Sequence, residues 1–233
     1  MKIILTSIFL ACSFCVTAQS SFYKISLGGG AGITRSYADL PEKNNAVAAY
    51  GTVDYLFTPF ISLGLEVQQG EVKGGQNKVD PYGRRFTNDY RSITINGKLA
   101  LGNLVDYKNN VWFNHLKGLY VGSGFGFIQN RVNQLDRGIE NAPEQVYIPF
   151  TKEPIIPLNI GLNYFFPDRY GQYRYVANIN IQSNIAIGEG LDGYDSTIAT
   201  FKNGKPDIFS FFSLGIKYNF GPEGVSQKTF KKY

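Results

Sequence analysis

Along this chain alternate residues sort by polarity, and the sorting recurs in eight segments. In the clearest, Tyr173, Tyr175, Ala177, Ile179, Ile181, Ile185 and Ile187 fall on one face, while Arg174, Asn178, Asn180, Gln182 and Asn184 fall on the other. A period of two is that of an extended strand, whose successive side chains point to opposite sides. In the segment before it, Ile156, Leu158, Ile160, Leu162, Tyr164 and Phe166 oppose Pro157, Asn159, Gly161 and Asn163. In the last segment, Ile208, Phe212, Leu214, Ile216, Tyr218 and Phe220 oppose Ser213, Gly215, Lys217 and Asn219.

Five earlier segments read the same way. From about Phe22 to Ile33, Tyr23, Ile25, Leu27, Ala31 and Ile33 oppose Lys24, Ser26, Gly28, Gly30 and Gly32. From about Ala46 to Phe57, Val47, Val53, Tyr55 and Phe57 oppose Tyr50, Thr52 and Asp54. Ile61, Leu63, Leu65 and Val67 then oppose Ser62, Gly64, Glu66 and Gln68; Ile93, Ile95, Leu99 and Leu101 oppose Ser92, Thr94, Asn96 and Lys98; Leu119, Val121, Phe125 and Phe127 oppose Gly122, Gly124 and Gly126. This predicts an all-β chain, an eight-stranded antiparallel up-and-down transmembrane β-barrel, with apolar residues towards lipid and polar residues towards the lumen. A soluble calycin-like barrel would reverse the sorting, and its exposed face would carry many Lys and Glu in place of the amides and glycines found here.

The connections set the orientation. Thr58-Pro59 and Pro167-Asp168-Arg169-Tyr170-Gly171 are short, whereas the links after the first, third, fifth and seventh strands are long and polar. Short turns belong to the periplasmic end of such barrels and long loops to the outside, so both termini are expected in the periplasm. The long loops are expected at about Gly70 to Asn88 and Asn130 to Glu153. The link from Val105 to Lys117 is too long for a tight turn and reads as an interfacial or periplasmic flap holding Trp112, Phe113 and His115.

At the N-terminus, Lys2 precedes a largely apolar run of 14 residues, Ile3 to Val16, and then Val16-Thr17-Ala18-Gln19, with small residues placed for cleavage after Ala18. This predicts a secretory signal peptide over 1–18, since the run falls short of the roughly 20 residues that span a bilayer. The barrel is expected over 19–220 and a short periplasmic tail over 221–233. Cys12 and Cys15 fall within the leader, so the mature chain would have no thiol for disulfides, catalysis or metal binding. His115 is the single histidine, which leaves little for a catalytic triad or a His-based metal site.

Composition adds 26 Gly, 16 Tyr and 18 Phe, a mixture suited to a twisted, closed sheet. The formal charge of +5, or +4 without Lys2, is spread thinly and forms no basic stripe, so nucleic acid is not an expected partner. Gly28-Gly29-Gly30-Ala31-Gly32 lacks the following helix and the Gly-Lys-Ser/Thr of a phosphate-cradling loop. Glu189, Asp192 and Asp195 match no defined cation-binding spacing. No cofactor, metal or catalytic residue is therefore expected. The candidate site is a lumen charge cluster of Lys24, Asp54, Glu66, Lys98, Arg174 and Lys217. Lys24 and Lys217 are expected to lie near each other across the closing seam, with Arg174 close by, which makes the lower lumen electropositive.

The last strand, Ser213-Leu214-Gly215-Ile216-Lys217-Tyr218-Asn219-Phe220, looks like the C-terminal signal by which outer-membrane barrels are handed to their insertion machinery. With the leader and the eight strands, the chain resembles the small OmpA-like and OmpX-like barrels. Its Val-Thr-Ala-Gln and Lys-Tyr-Asn-Phe stretches are similar to the outer-membrane β-barrel domain family of Bacteroidetes. The resemblance implies the fold, a Gram-negative outer-membrane location, contact with outer-membrane lipid, and insertion signalled by Gly215, Tyr218 and Phe220. It implies nothing about activity, because one barrel architecture carries many functions. Three readings stay open: a non-enzymatic structural or surface-interaction barrel whose long loops meet an extracellular ligand, a narrow solute or anion channel, and an enzyme acting on outer-membrane lipid.

Overall fold

The computed structural model describes residues 20–37, 43–75, 84–105, 111–137, 146–147, 150–188, 190–191, 194–195, 207–226 and 228; the expected signal peptide lies outside them. Strands β1 (Ser20–Ser36), β2 (Lys43–Thr58), β3 (Ile61–Gly75), β4 (Arg84–Ala100) and β5 (Leu119–Arg137) follow one another around a ring. After the two-residue β6 (Val146–Tyr147), the ring continues with β7 (Phe150–Pro167) and β8 (Tyr173–Ala186). After the two-residue β9 (Tyr194–Asp195), β10 (Asp207–Ser226) closes the ring on β1, every pairing being antiparallel. β6 and β9 pair with each other and tie the connection after β5 to the one after β8.

Closure leaves no strand edge in the ring, the condition for burying backbone in lipid. Leu27, Val53, Leu65, Ile95, Phe125, Ile160, Ile181 and Leu214 point out and are exposed, forming an apolar belt. Below it, Tyr55 and Phe57, Tyr164 and Phe166, and Tyr175, Tyr218 and Phe220 make an aromatic girdle of contacting rings, as a membrane interface favours.

The ring strands run 14 to 20 residues, well beyond the roughly 9–11 that cross a bilayer. The excess corrects the expected loops: β3 reaches Gly75 where a loop was expected from Gly70, and β5 reaches Arg137 where one was expected from Asn130. The cause is an inversion of polarity. Above the belt Val72, Phe86, Tyr90 and Val132 point inward and are buried, while Glu71, Lys73, Thr87, Asp89 and Arg131 point outward. The same strands thus read apolar-out in lipid and apolar-in in water.

The lower turns are compact. Thr58 Oγ1 accepts from the backbone N–H of Phe60 and of Ile61 at 3.2 and 3.0 Å, and Phe60 tucks into the barrel. Asp168 Oδ1 accepts from the N–H of Tyr170 and Gln172 at 2.8 and 2.9 Å, and Gly171 takes the positive φ of 74° that ends the turn. These N–H donors, together with the Arg174 guanidinium, outweigh desolvation and hold the Asp168 carboxyl below its usual range. In the link after β4, a 3-10 turn (Leu101–Asn103) and a short helix α1 (Val111–Leu116) form the flap, with Trp112 exposed.

At the C-terminus, the expected tail from Gly221 is strand as far as Ser226. Gly221, at φ 85°, carries a bulge opposite Tyr23 and Ile25, after which Val225 and Ser226 pair with Ser21 and Ser20. Lys228 Nζ donates to the Asn103 carbonyl. Residues 227 and 229–233 lie outside the described residues.

Candidate functional site: the barrel lumen

Lumen side chains stack in layers. At the bottom, Phe22, Leu56, Phe60, Ala100 and Tyr120 pack together, with Phe165 and Tyr173 against them. Above them is an ion-pair triad: Asp54 Oδ1 receives Lys98 Nζ at 3.2 Å and Asp54 Oδ2 receives Lys217 Nζ at 2.6 Å. These three side chains are buried. Buried charge is tolerated only when paired and hydrogen-bonded, and Thr52 Oγ1 adds a bond to Asp54 Oδ1 at 3.3 Å.

A web of amides surrounds the triad. Tyr50 OH donates to Asn178 Oδ1 at 3.2 Å, and Asn178 Nδ2 donates to Asn163 Oδ1 at 2.8 Å and to Tyr120 OH at 3.1 Å. Asn180 donates to Asn159 at 3.0 Å, Asn159 to Asn96 at 3.4 Å, and Asn96 to Thr94 at 2.9 Å. Glu66 Oε1 accepts from Gln68 Nε2 at 2.7 Å and Gln182 Nε2 at 3.2 Å, and Tyr90 OH donates to Gln68 Oε1 at 3.2 Å. Among the described residues Ser26 Oγ, Asn180 Oδ1 and Asn184 Nδ2 find no protein partner, positions that trapped water would satisfy. Ser26, Asp54, Lys98, Lys217 and Asn219 line a cavity of about 40 Å³, room for roughly two or three waters.

A second apolar layer closes the top. Phe86, Tyr90, Ile128, Ile155, Phe209 and Phe211 are almost wholly buried; Tyr90 packs on Phe209 with centroids 5.1 Å apart, and Tyr50 meets Phe211 edge-on at 6.0 Å. Leu191, from the connection after β8, folds into this layer, where its carbonyl accepts from Asn88 Nδ2 at 2.8 Å. Over the described residues the lumen is therefore polar in its middle, with an apolar layer at either end.

Of the six expected cluster residues, the structure brings Asp54, Lys98 and Lys217 together and places Glu66 in the layer above. Arg174 is a correction. It donates to Tyr218 OH at 2.9 Å and Tyr23 OH at 2.5 Å, and its Nε is 2.9 Å from Asp168 Oδ2, so it belongs to the outer girdle. Phe166 pairs with Tyr175 but Pro167 with Tyr173, so Arg174 is an extra residue in β8 and the alternation flips there, turning Tyr173 inward. Lys24 is also displaced: Lys217 pairs in register with Gly28, four residues along β1, and Lys24 stays beside Gly224 at the lower mouth. The buried charges of the described strands are four acids, Asp54, Glu66, Glu153 and Asp207, against two bases, Lys98 and Lys217, with Lys117 buried below β5, which removes the positive excess expected of the lumen.

Sequence reasoning missed Phe86, Tyr90, Phe209 and Phe211 as lumen residues; their signal is the apolar-in alternation above the belt. Glu189 and Asp192 lie outside the described residues, and Asp195 forms part of β9. Among the described residues no three His, Cys, Asp or Glu side chains gather as a metal site requires. His115 lies in the last turn of α1, beside a cavity of about 140 Å³ that Asn114, Lys117, Asn163 and Tyr173 also line.

The architecture matches solved barrels. The crystal structure of Neisserial surface protein A superposes with a TM-score of 0.50 at 9% identity, over 86% of this chain and 99% of that one. The attachment invasion locus protein Ail of Yersinia pestis is similar at a TM-score of 0.47 and 12% identity, over 85% and 99% of the two chains. OprG, an outer-membrane protein of Pseudomonas aeruginosa, is similar at 0.39 and 10%, over 85% and 98%. No protein-family model matches the chain, and no curated protein does. The fold is that of an eight-stranded outer-membrane β-barrel. Its lipid-facing belt places it in that membrane.

Proposed function

We propose that the protein is a non-enzymatic outer-membrane scaffold that holds its extracellular connections, between β3 and β4, β5 and β7, and β8 and β10, for contact with a partner outside the cell. The observation that carries this reading is the filled lumen: among the described residues, apolar layers around Phe60 and around Phe209 lie below and above the buried ion-pair triad. An interior of eight strands is just wide enough for side chains to fill, and a rigid filled barrel suits the display of loops. The reading includes export by the leader over 1–18 and assembly signalled by Gly215, Tyr218 and Phe220.

Planar-bilayer recording of the purified barrel tests it. A scaffold gives little or no steady conductance. Stable openings would establish a channel instead, and anion preference lost on replacing Lys98 and Lys217 would assign the current to the lower lumen. The lipid-modifying reading has less support, since His115 lies at the end of the barrel that carries the short turns.

A further inference from the structure

Above the apolar belt the outward face turns basic. Arg35 lies two residues beyond Ile33 on β1, Lys43 four beyond Val47 on β2, and Lys73 six beyond Val67 on β3. Arg91 lies two beyond Ile93 on β4, Arg131 four beyond Phe127 on β5, and Lys152 two beyond Pro154 on β7. Arg85 adds a base near the top of β4. All seven side chains are exposed or half-exposed, and these six strands are consecutive in the ring.

Few acids oppose them. Among the described side chains the outward acids at this height are Glu71, 2.6 Å from Lys73 Nζ, and Asp89, which accepts from Asn133, while Asp136 pairs in register with Arg85 at the top of β4. Setting Arg85 against its strand partner Asp136, the other six bases less two acids leave +4 on this rim among the described residues. At the other end, the described outward charges Arg169, Arg174 and Lys228 face Asp168 and Glu223, leaving +1. The basic collar stops at β8 and β10, where Ile185, Ile187 and Ile208 keep the outward face apolar. Two of its cations sit over rings: Lys43 Nζ is 4.5 Å from the Tyr37 centroid and Lys152 Nζ 5.8 Å from that of Phe150. Amphipathic rings beside cations are what the headgroup layer favours.

We propose that this collar binds the phosphate-bearing headgroups of lipids in the leaflet around it, selecting anionic lipid against β1 to β7 and leaving β8 and β10 unselective. Two to six residues along tilted strands raise the cations roughly 5–15 Å above the hydrocarbon edge, the depth of headgroup phosphates and the sugars attached to them. The proposal rests on the outer-membrane reading and deepens it by naming the ligand chemistry, but it is independent of whether the loops bind a partner.

The test uses the full barrel folded in zwitterionic detergent, mixed with bisphosphorylated lipid A or its dephosphorylated form, and reads lipid retained per barrel after gel filtration. Wild type is expected to prefer the phosphorylated lipid at least tenfold at low salt and to lose most of that preference at high salt. A variant carrying Lys73→Gln, Arg91→Gln, Arg131→Gln and Lys152→Gln should lose the preference, at about fivefold per cation. Arg169→Gln with Lys228→Gln, at the opposite rim, should not. Heat-modifiable gel mobility verifies folding, and single Arg91→Gln and Arg131→Gln variants replace the fourfold variant if it fails to fold. Equal retention by wild type and variant would overturn the proposal, as would equal loss in the opposite-rim variant. So would full displacement of the lipid by a soluble sulfated polysaccharide, which would make the collar a general polyanion receptor.

Discussion

Lys217 Nζ on β10 lies 2.6 Å from Asp54 Oδ2 on β2, although β1 runs between the two strands. The bridge crosses above Gly28, where a Cβ would come within 2.5 Å of Lys217 Cγ and 2.9 Å of the Ile216 carbonyl. On the other flank Asp54 reaches Lys98 over β3 at Gly64, where a Cβ would stand 2.0 Å from Asp54 Oδ1. Two bare backbone positions thus let one carboxylate draw in ammonium groups from strands that are not its neighbours. The lumen glycines are part of the ion-pair site.

Replacing Asp54 by Asn should therefore leave two ammonium groups buried against each other and destabilise the folded barrel by about 3–5 kcal/mol. Urea titration of the detergent-folded protein reads this as a lower midpoint. Asp54→Leu combined with Lys98→Met and Lys217→Met should recover most of the loss, because an apolar layer needs no charge balance. An Asp54→Asn barrel that unfolds at the wild-type midpoint would show that the triad adds nothing to stability.

Ile181 stands halfway along the outward face of β8, midway between Tyr175 and Ile187 just past the strand's end. Ile181→Arg should cost roughly 2–4 kcal/mol, as expected for a cation at the bilayer midplane. Gln129→Arg points outward too, but above the belt, and should cost little. Comparable unfolding free energies for the two variants in lipid vesicles would mean that the belt is misplaced.

The same contrast explains what was legible in the sequence. Lipid demands apolar side chains on every outward position, so Ile179, Ile181 and Leu214 announced eight strands without any knowledge of pairing. Above the belt water is outside, so Phe86 and Tyr90 turn inward and the outer halves of β3 to β5 read as polar loop. Single-residue bulges escape a parity argument altogether: Arg174 flips outward and Gly221 carries β10 past its apparent end. The triad needs barrel closure, since Asp54 and Lys217 are 163 residues apart and meet only when β10 seals on β1.

Tyr218 and Phe220 point outward at the lower end of β10, their rings stacked at 6.1 Å, while Gly215 faces Tyr50 within the lumen. As the proposed insertion signal, Tyr218 and Phe220 must be readable before β10 pairs with β1. Phe220→Ser or Tyr218→Ser should then lower the amount of heat-modifiable barrel recovered from outer membranes while leaving refolding in detergent nearly unchanged. Wild-type assembly of both variants in cells would shift the determinant to the stretch beyond Phe220, where β10 continues to Ser226.

Lys117, between α1 and β5, gives a stability effect with a defined pH window. It donates to Asn114 Oδ1 at 3.1 Å and stands 5.7 Å from the Tyr173 ring centroid, and burial lowers its pKa to about 8, against about 10.4 in an unfolded chain. Below pH 8 the amine is charged in both states, so the folded state bears the full cost of burying it. Between about 8 and 10.4 the unfolded chain binds more protons than the folded one, and stability rises with pH through that window. Lys117→Met should accordingly stabilise the barrel at pH 7, with the difference from wild type closing as the pH passes from 8 to about 10.4. Denaturant midpoints at pH 7 and near pH 10.5 check this. A gap that stays constant with pH, or a Met variant weaker at pH 7, would show that the charge of Lys117 is not what the fold resists.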